Sequence, residues 1–104
     1  RDEGPLPELF SIHRAEVAKL ESFGAFCKLS GFRKQGLLHI SQLSNSRVEA
    51  EDIPHIVAVG DDIFVKVISV DEAAGKISLS MKLVSQGDGH DLDPTHAEAQ
   101  AEGE

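Results

Sequence analysis

Four residues in the first half of the chain have side chains suited to binding flat, negatively charged ligands. Phe23 and Phe26 flank a Gly-Ala pair in the segment FGAFCKL, which also contains Lys28, and His39 follows later in the chain. The chain has only five aromatic residues, all Phe, so two within four positions are a local concentration. Rings beside cations are typical of surfaces on which nucleic-acid bases stack while cations bind the phosphates. The ordinary alternative is that both rings pack in a core.

Length and composition limit the classes of protein to consider. The chain has 104 residues, 40% of them hydrophobic, which suits one small domain. With a single cysteine, Cys27, and no His/Cys cluster, we expect no metal and no cofactor, in a reducing intracellular compartment. We expect Cys27 to be a buried packing residue. No apolar run approaches the roughly 18 residues of a membrane span, so no membrane contact is expected.

The start of the chain and its motif content lead to two further expectations. The chain begins without Met or a signal-peptide core, and we expect a piece cut from a longer protein. No GxSxG, P-loop, GxGxxG or HExxH motif is present, so an enzyme is not expected.

The negative charge is concentrated at one end of the chain. The net charge is −8 from 18 acidic and 10 basic residues. Six of the acids follow Ser85, where there is no Lys or Arg, so residues 1–84 hold 12 acids and 10 bases, a net −2. A nearly neutral body can present a basic face, but it will not bind nucleic acid tightly by charge alone.

Short apolar segments separated by turn signals predict an all-β fold. We expect strands near residues 11–20, 23–30, 36–43, 62–70 and 76–83, a helical turn at 44–47 and a long connection at 49–60. This order favours a five-stranded antiparallel OB-type barrel with a short helical turn between strands 3 and 4. Residues 1–8 are expected to be flexible and residues 9–84 to form the domain. The tail, residues 85–104, is expected to be disordered because it has one large apolar residue.

Alternation along the strands sorts side chains between the core and the outer surface. It places Ala25, Cys27 and Leu29 inside, with Phe26 and Lys28 outside. Phe23 would point inward unless Gly24 permits a bend that redirects it. The outer set predicted in this way is Phe23, Phe26, Lys28, His39, Lys66 and Lys76. Stacking on this set and ordinary surface exposure stay open as alternatives.

Five segments together resemble the S1 RNA-binding domain family: FGAFCKL, GLLHIS, a nearby RV, VGDDIFVKVISVD and GKISLSMK. They lie in the family's order over about residues 10–83. The resemblance implies an OB-type barrel that binds single-stranded RNA. It places the family's aromatic positions on Phe23 and Phe26, its histidine on His39, its acid and base on Asp71 and Lys76, and an arginine on Arg47. The chain also resembles the N-terminal S1 domain of a nucleolar CCHC zinc-knuckle protein, and this resemblance implies a nuclear or nucleolar location.

Three departures from the family pattern imply weakened RNA binding. Ala15 replaces a usual glycine, the hairpin DEAAGK is one residue longer than usual, and Lys76 replaces an arginine, whose planar guanidinium group lysine lacks. We therefore expect a non-catalytic, monomeric module that binds single-stranded or structured RNA weakly and with low sequence specificity. The alternative is a protein-interaction module in a ribonucleoprotein or ribosome-associated assembly, with ribosomal or nucleolar proteins as partners.

Overall fold

Five strands form a closed barrel in the computed structural model, which describes residues 6–102. They are β1 (Ile12–Glu21), β2 (Gly24–Leu29), β3 (Gln35–His39), β4 (Asp62–Asp71) and β5 (Lys76–Ser80). Their order around the barrel is β1-β2-β3-β5-β4. The predicted five-stranded OB-type barrel is thus confirmed. In the described part of the chain no helix is both long and apolar enough to cross a membrane.

The strand pairing is mixed, so the prediction of a purely antiparallel barrel was wrong in this detail. Four of the pairings are antiparallel. β3 and β5 run parallel through the pairs Leu37–Ser78 and Leu38–Leu79. The reason is geometric: a closed ring with an odd number of strands cannot reverse direction at every pairing. One parallel seam is required, and here it joins β3 to β5.

Alternating inward side chains fill the barrel. Ala25, Cys27 and Leu29 of β2 are all fully buried, as are Val65 and Val67 of β4. The predicted core face of β2 is therefore confirmed. Burial raises the pKa of the Cys27 thiol to about 11, which keeps it a neutral packing group at physiological pH.

The connection between β3 and β4 is helical, but not where the sequence pattern placed the turn. Residues 44–47 form no helix, whereas 3₁₀ turns lie at Ile40–Gln42 and Ala50–Asp52 and a short helix, α1, at Ile53–Ile56. Pro54 lies in the first turn of α1, where its missing N–H leaves no hydrogen bond unmade. Buried Ile53 anchors the segment to the core.

Both ends of the described chain pack against the barrel. Of the segment predicted to be flexible, residues 1–5 lie outside the described residues, while Leu6 packs on the core and Pro7 is buried. The tail was predicted to be disordered, yet its described part is folded through residue 102. It forms a bridge between Val84 and Asp91 and a second helix, α2 (Ala97–Glu102).

The tail folds because its few apolar groups have a matching surface. Ala99 of α2 is fully buried in a second apolar cluster with Ile68 and Leu83, against which Phe10 packs. The ring of Phe10 stacks on His96, with centroids 4.5 Å apart. This cluster lies on the outside of the barrel, so a pattern that considers only the barrel interior does not reveal it.

Lys66 was predicted to lie on the outer surface and to contact RNA, and the structure contradicts that prediction. The side chain points away from the barrel interior, as alternation requires, but the tail covers it completely. Its Nζ lies 3.0 Å from Asp91 Oδ1, 3.7 Å from Asp93 Oδ2 and 2.6 Å from the Asp93 carbonyl oxygen. We call these three residues the Lys66 clasp.

Candidate nucleic-acid interface

Phe23 and Phe26 come together on the outside of the barrel. Phe23 occupies the two-residue turn between β1 and β2 and is 44% exposed. The two rings meet edge to face, with centroids 6.1 Å apart and an interplanar angle of 87°. Gly24 permits this arrangement: its φ is +151°, and a β-carbon there would lie 2.2 Å from the carbonyl oxygen of Leu38. The sequence left the direction of Phe23 open, and with this backbone angle at Gly24 the Phe23 side chain is exposed.

A lateral row of outward side chains crosses four of the strands near these rings. Phe26 of β2 lies beside Leu37 of β3, Leu37 beside Ser78 of β5, and Ser78 beside Ser69 of β4. Leu37 is half-buried and extends the apolar surface of Phe26. Sequence reasoning missed Leu37 and Ser78 as members of this surface. Both residues alternate with the inward-facing Leu38 and Leu79, and this alternation indicates that they point outward.

His39 lies at the same end of the barrel as the Phe23 turn. It pairs with Gly24 across β2 and β3 and is exposed. The backbone N–H of Ile40 donates to the Phe23 carbonyl oxygen over 2.8 Å, which joins the turn to the start of the 3₁₀ helix. We call Phe23, Phe26, Leu37, His39 and Ser78 the candidate face.

Two lysines continue the candidate face toward the other end of the barrel. Lys28 pairs with Gln35 across β2 and β3, and continuing the β3–β5 register brings Lys76 beside Gln35. This row lies two residues further along each strand, about 7 Å from the row of Phe26. Lys28 Nζ also donates to the Phe32 carbonyl oxygen over 2.9 Å, which fixes its direction. The lysines thus lie next to the rings without covering them.

Asp71 and Lys76 face each other at the base of the β4–β5 hairpin, where the two strands end. The Asp71 carboxylate accepts a hydrogen bond from the backbone N–H of Ala74 over 3.2 Å, which stabilises the turn. Gly75 closes the turn with φ +68°. Asp71 therefore has a structural role inside the hairpin, and Lys76 is the member of the pair that adjoins the candidate face.

Two residues predicted for the site do not belong to the paired strand rows that define the candidate face. Lys66 is buried in its clasp. Arg47 lies in the connection after β3, with a side chain that is 87% exposed and an Nε 2.6 Å from Glu49 Oε2. Within residues 6–102, no group of three or more His, Cys, Asp or Glu side chains is arranged to hold a metal ion.

Several solved structures share this fold. The protein GSP13 from Bacillus subtilis superposes with a TM-score of 0.68 at 34% identity, over 89% of this chain and 72% of that chain. A chain in the crystal structure of an a/eIF2alpha–aDim2p–rRNA complex from Pyrococcus horikoshii gives a TM-score of 0.71 at 28% identity, over 90% and 53% of the two chains.

Longer curated proteins contain a similar segment. The chain is 46% identical to part of the pre-mRNA-splicing factor ATP-dependent RNA helicase prp22 of Schizosaccharomyces pombe, over 88% of this chain and 8% of that protein. It is 44% identical to part of the polyribonucleotide nucleotidyltransferase of Rhodopseudomonas palustris, over 94% and 13%. The chain therefore spans a small fraction of these relatives. The S1 RNA binding domain family matches residues 11–82, and the chain belongs to that family of RNA-binding modules.

Proposed function

We propose that this S1 domain binds single-stranded RNA by stacking bases on Phe26 and Phe23, while Lys28 and Lys76 contact phosphates. The observation that carries the proposal is the edge-to-face pair of Phe23 and Phe26, held on the outer surface beside His39. A ring that is 44% exposed at a turn contributes little to the packing of the hydrophobic core. An unpaired base can stack on such a ring.

The strength of binding follows from the number of contacts. Stacking contributes roughly 1–3 kcal/mol per base, so two bases contribute about 4 kcal/mol at the middle of this range, which corresponds to a dissociation constant of about 1 mM. Two phosphate contacts predict a shallow salt dependence, with a slope of log K against log[salt] of about −1.4. Since all bases have a face that can stack, sequence specificity should be low.

The test is a titration of the labelled domain with a short single-stranded RNA, followed by backbone amide shifts. Shifts clustered on the candidate face are expected. Phe26→Leu keeps apolar bulk but removes the ring, and should weaken binding about tenfold if one base stacks there. Phe32→Leu is the matched control, because Phe32 packs edge-on against His13 outside the candidate face. Equal affinities for the two variants would contradict stacking on Phe26.

A second candidate function is a docking surface for a protein partner. The burial of Lys66 favours it, because one of the cations expected to contact RNA is covered by the tail. Under this function the rings and Leu37 would pack against apolar side chains of the partner. A flat RNA titration at millimolar concentration would support this alternative over RNA binding.

We also infer that the domain is a non-catalytic attachment in a longer protein that acts on RNA. The helicase and the nucleotidyltransferase, of which it matches a small part, support this inference. A weak module gains affinity when neighbouring modules raise the effective concentration. A nucleolar location, implied by the sequence resemblance, is part of the proposal. Imaging of the tagged full-length protein tests it, and exclusion from the nucleolus would contradict it.

A further inference from the structure

A groove of about 570 Å³ lies between the β1–β2 turn and the helical connection that precedes β4. Its apolar surface comes from Leu20, Ala50, Ile53 and Pro54, and carboxylates at its rim come from Glu21 and Glu51. The volume lies within the range of pockets that hold small ligands or single side chains of a partner. None of these residues belongs to the candidate face, so the groove is a separate surface of the domain.

The wall that the connection contributes is held in shape by its own hydrogen bonds. The N–H of Glu49 donates to Asp52 Oδ2 over 3.1 Å, and the N–H of Asp52 donates to the Glu49 carbonyl oxygen over 2.9 Å. Ile53 is 1% exposed and anchors α1 in the core. The Val57 N–H donates to the Ile53 carbonyl oxygen over 3.0 Å. Because this wall is already ordered, little conformational freedom is lost when a ligand binds to it.

The apolar part of the groove is open to solvent. Ala50 and Pro54 are exposed, and Leu20 is half-buried. Pro54 has no N–H, so it presents the carbons of its ring to the solvent. An aliphatic side chain that packs there would remove apolar surface from water on both sides of the contact.

The charge around the groove is predominantly negative. The two segments that form the groove are residues 19–22 and 47–54. They contain four acidic residues and two basic ones. Both basic side chains already pair with acids of the same segments, Lys19 with Glu21 over 2.9 Å and Arg47 with Glu49 over 2.6 Å. The remaining excess of carboxylates attracts a cationic ligand and repels the phosphates of a nucleic acid.

We propose that this groove binds a short basic segment of a protein partner. An aliphatic side chain of that segment packs on Leu20 and Pro54, and a flanking Lys or Arg lies beside Glu51. Charge complementarity selects this occupant, because an acidic segment would bring like charges together. A groove of this size buries less area than a stable interface, so the contact is weak and transient. Since the groove shares no residue with the candidate face, a protein and an RNA can be bound at the same time.

The test is a titration of the labelled 104-residue chain with two synthetic hexapeptides with blocked ends, KRLLRK and EELLEE, followed by backbone amide shifts. The basic peptide should shift the amides of Leu20, Ala50 and Ile53 in a saturable way. Its affinity should fall as salt is added, because exposed charges are screened. The acidic peptide has the same apolar residues and should bind at least about tenfold more weakly.

Three variants locate the binding site. Ala50 is exposed, so Ala50→Arg should fold normally while it places a long cation in the groove, and it should weaken binding of the basic peptide at least about tenfold. Glu51→Gln should weaken binding about threefold, because one exposed ion pair is lost. Glu72→Gln is the matched control: it makes the same charge change on the exposed β4–β5 turn, at the other end of the barrel, and should leave the affinity unchanged.

The outcomes separate this proposal from the proposed function, because the basic peptide is measured without RNA. Shifts spread over the acidic tail, equal in the wild type and in Ala50→Arg, would show diffuse attraction and overturn the groove as a site. Shifts at Phe26 and Leu37 would place the peptide on the candidate face instead and also overturn it, as would the absence of any shift. A single-stranded RNA that shifts Leu20 and Ala50 would show that the groove takes a nucleic acid, against this proposal.

Discussion

Lys66 Nζ lies 3.0 Å from Asp91 Oδ1 beneath a C-terminal segment that buries the lysine side chain completely. The same lysine donates to the Asp93 carbonyl oxygen, while the Asp93 carboxylate accepts from the backbone N–H groups of Ala99 and Glu98 at the start of α2. Two acidic residues thus connect the outer face of β4 to the tail. The acidic tail is a folded layer on the barrel, held by a buried cation.

Lys66→Met should destabilise the domain by about 3 kcal/mol, because removing one member of a buried ion pair leaves the other desolvated and unpaired. Chemical denaturation monitored by circular dichroism measures this change. Lys19→Met is the matched control: Lys19 pairs with Glu21 over 2.9 Å, but its side chain is 70% exposed, so its loss should cost less than about 1 kcal/mol. Equal effects of the two substitutions would contradict the importance of the clasp.

Truncation after Val84 should lower the melting temperature by roughly 10 °C, because it exposes Ile68 and Leu83 and removes the partners of Lys66. A disordered tail would leave the melting temperature unchanged. Thermal unfolding of the two chains tests this directly. Amide hydrogen exchange provides a second measurement: the N–H of Leu92, which donates to the Leu83 carbonyl oxygen over 2.9 Å, should be protected in the full chain.

Docking of the tail should be lost in acid. Desolvation acts to raise the pKa of the Asp93 carboxyl, but hydrogen bonds from Ala99 and Glu98 and the charge of Lys66 together lower it below the ordinary value. A carboxyl with a lowered pKa stabilises the fold fully above its unfolded pKa, and this stabilisation disappears as the pH falls through the folded pKa. Tail amide shifts should therefore show an acid transition that lies well below neutrality and reports the loss of this stabilisation.

Asp93→Asn keeps a hydrogen-bond acceptor at the start of α2 and removes the charge. In this variant, the tail amide shifts should lack the part of the acid transition that comes from protonation of residue 93. If the variant keeps the full transition, another carboxyl controls docking of the tail.

Gly24→Ala should destabilise the barrel by at least about 3 kcal/mol, because the added methyl would overlap the Leu38 carbonyl oxygen at a backbone angle that L-residues rarely adopt. Gly31→Ala is the matched control: its φ is +89°, but nothing lies within 4 Å of the new methyl, so only backbone strain of about 1 kcal/mol is expected. Denaturation of both variants gives the comparison. A milder effect at position 24 would mean that the β1–β2 turn can shift, and the placement of Phe23 with it.

Alternation predicted the barrel core well because each strand has one buried face and a side-chain period of two. It placed Cys27 inside and Phe26 outside, as the structure does. It failed at Lys66 because a strand pattern separates the inside of the barrel from the outside but does not tell which outer positions another segment covers. The tail covers Lys66 because Lys66 pairs with Asp91, and these two residues are distant in sequence.

Parts of the candidate face also depend on tertiary geometry. The meeting of Phe23 and Phe26 required the positive φ of Gly24, which the sequence suggested but did not establish. In the sequence, Leu37 is an ordinary apolar strand residue. Its place on the candidate face follows only from its neighbours on β2 and β5. The bond from Ser41 to His39 arises where β3 gives way to a 3₁₀ turn, earlier than the strand pattern predicted.

The parallel seam has a consequence for the order in which the domain assembles. Leu37 and Ser78 meet across it, although they are about forty residues apart in the chain, so the seam closes only after a large loss of chain entropy. The hairpins β1–β2 and β4–β5 can form locally before that step. The candidate face spans the seam and exists only in the closed barrel. A ligand that binds there would selectively stabilise the closed state, and its binding would appear as slower hydrogen exchange at the β3–β5 pairs.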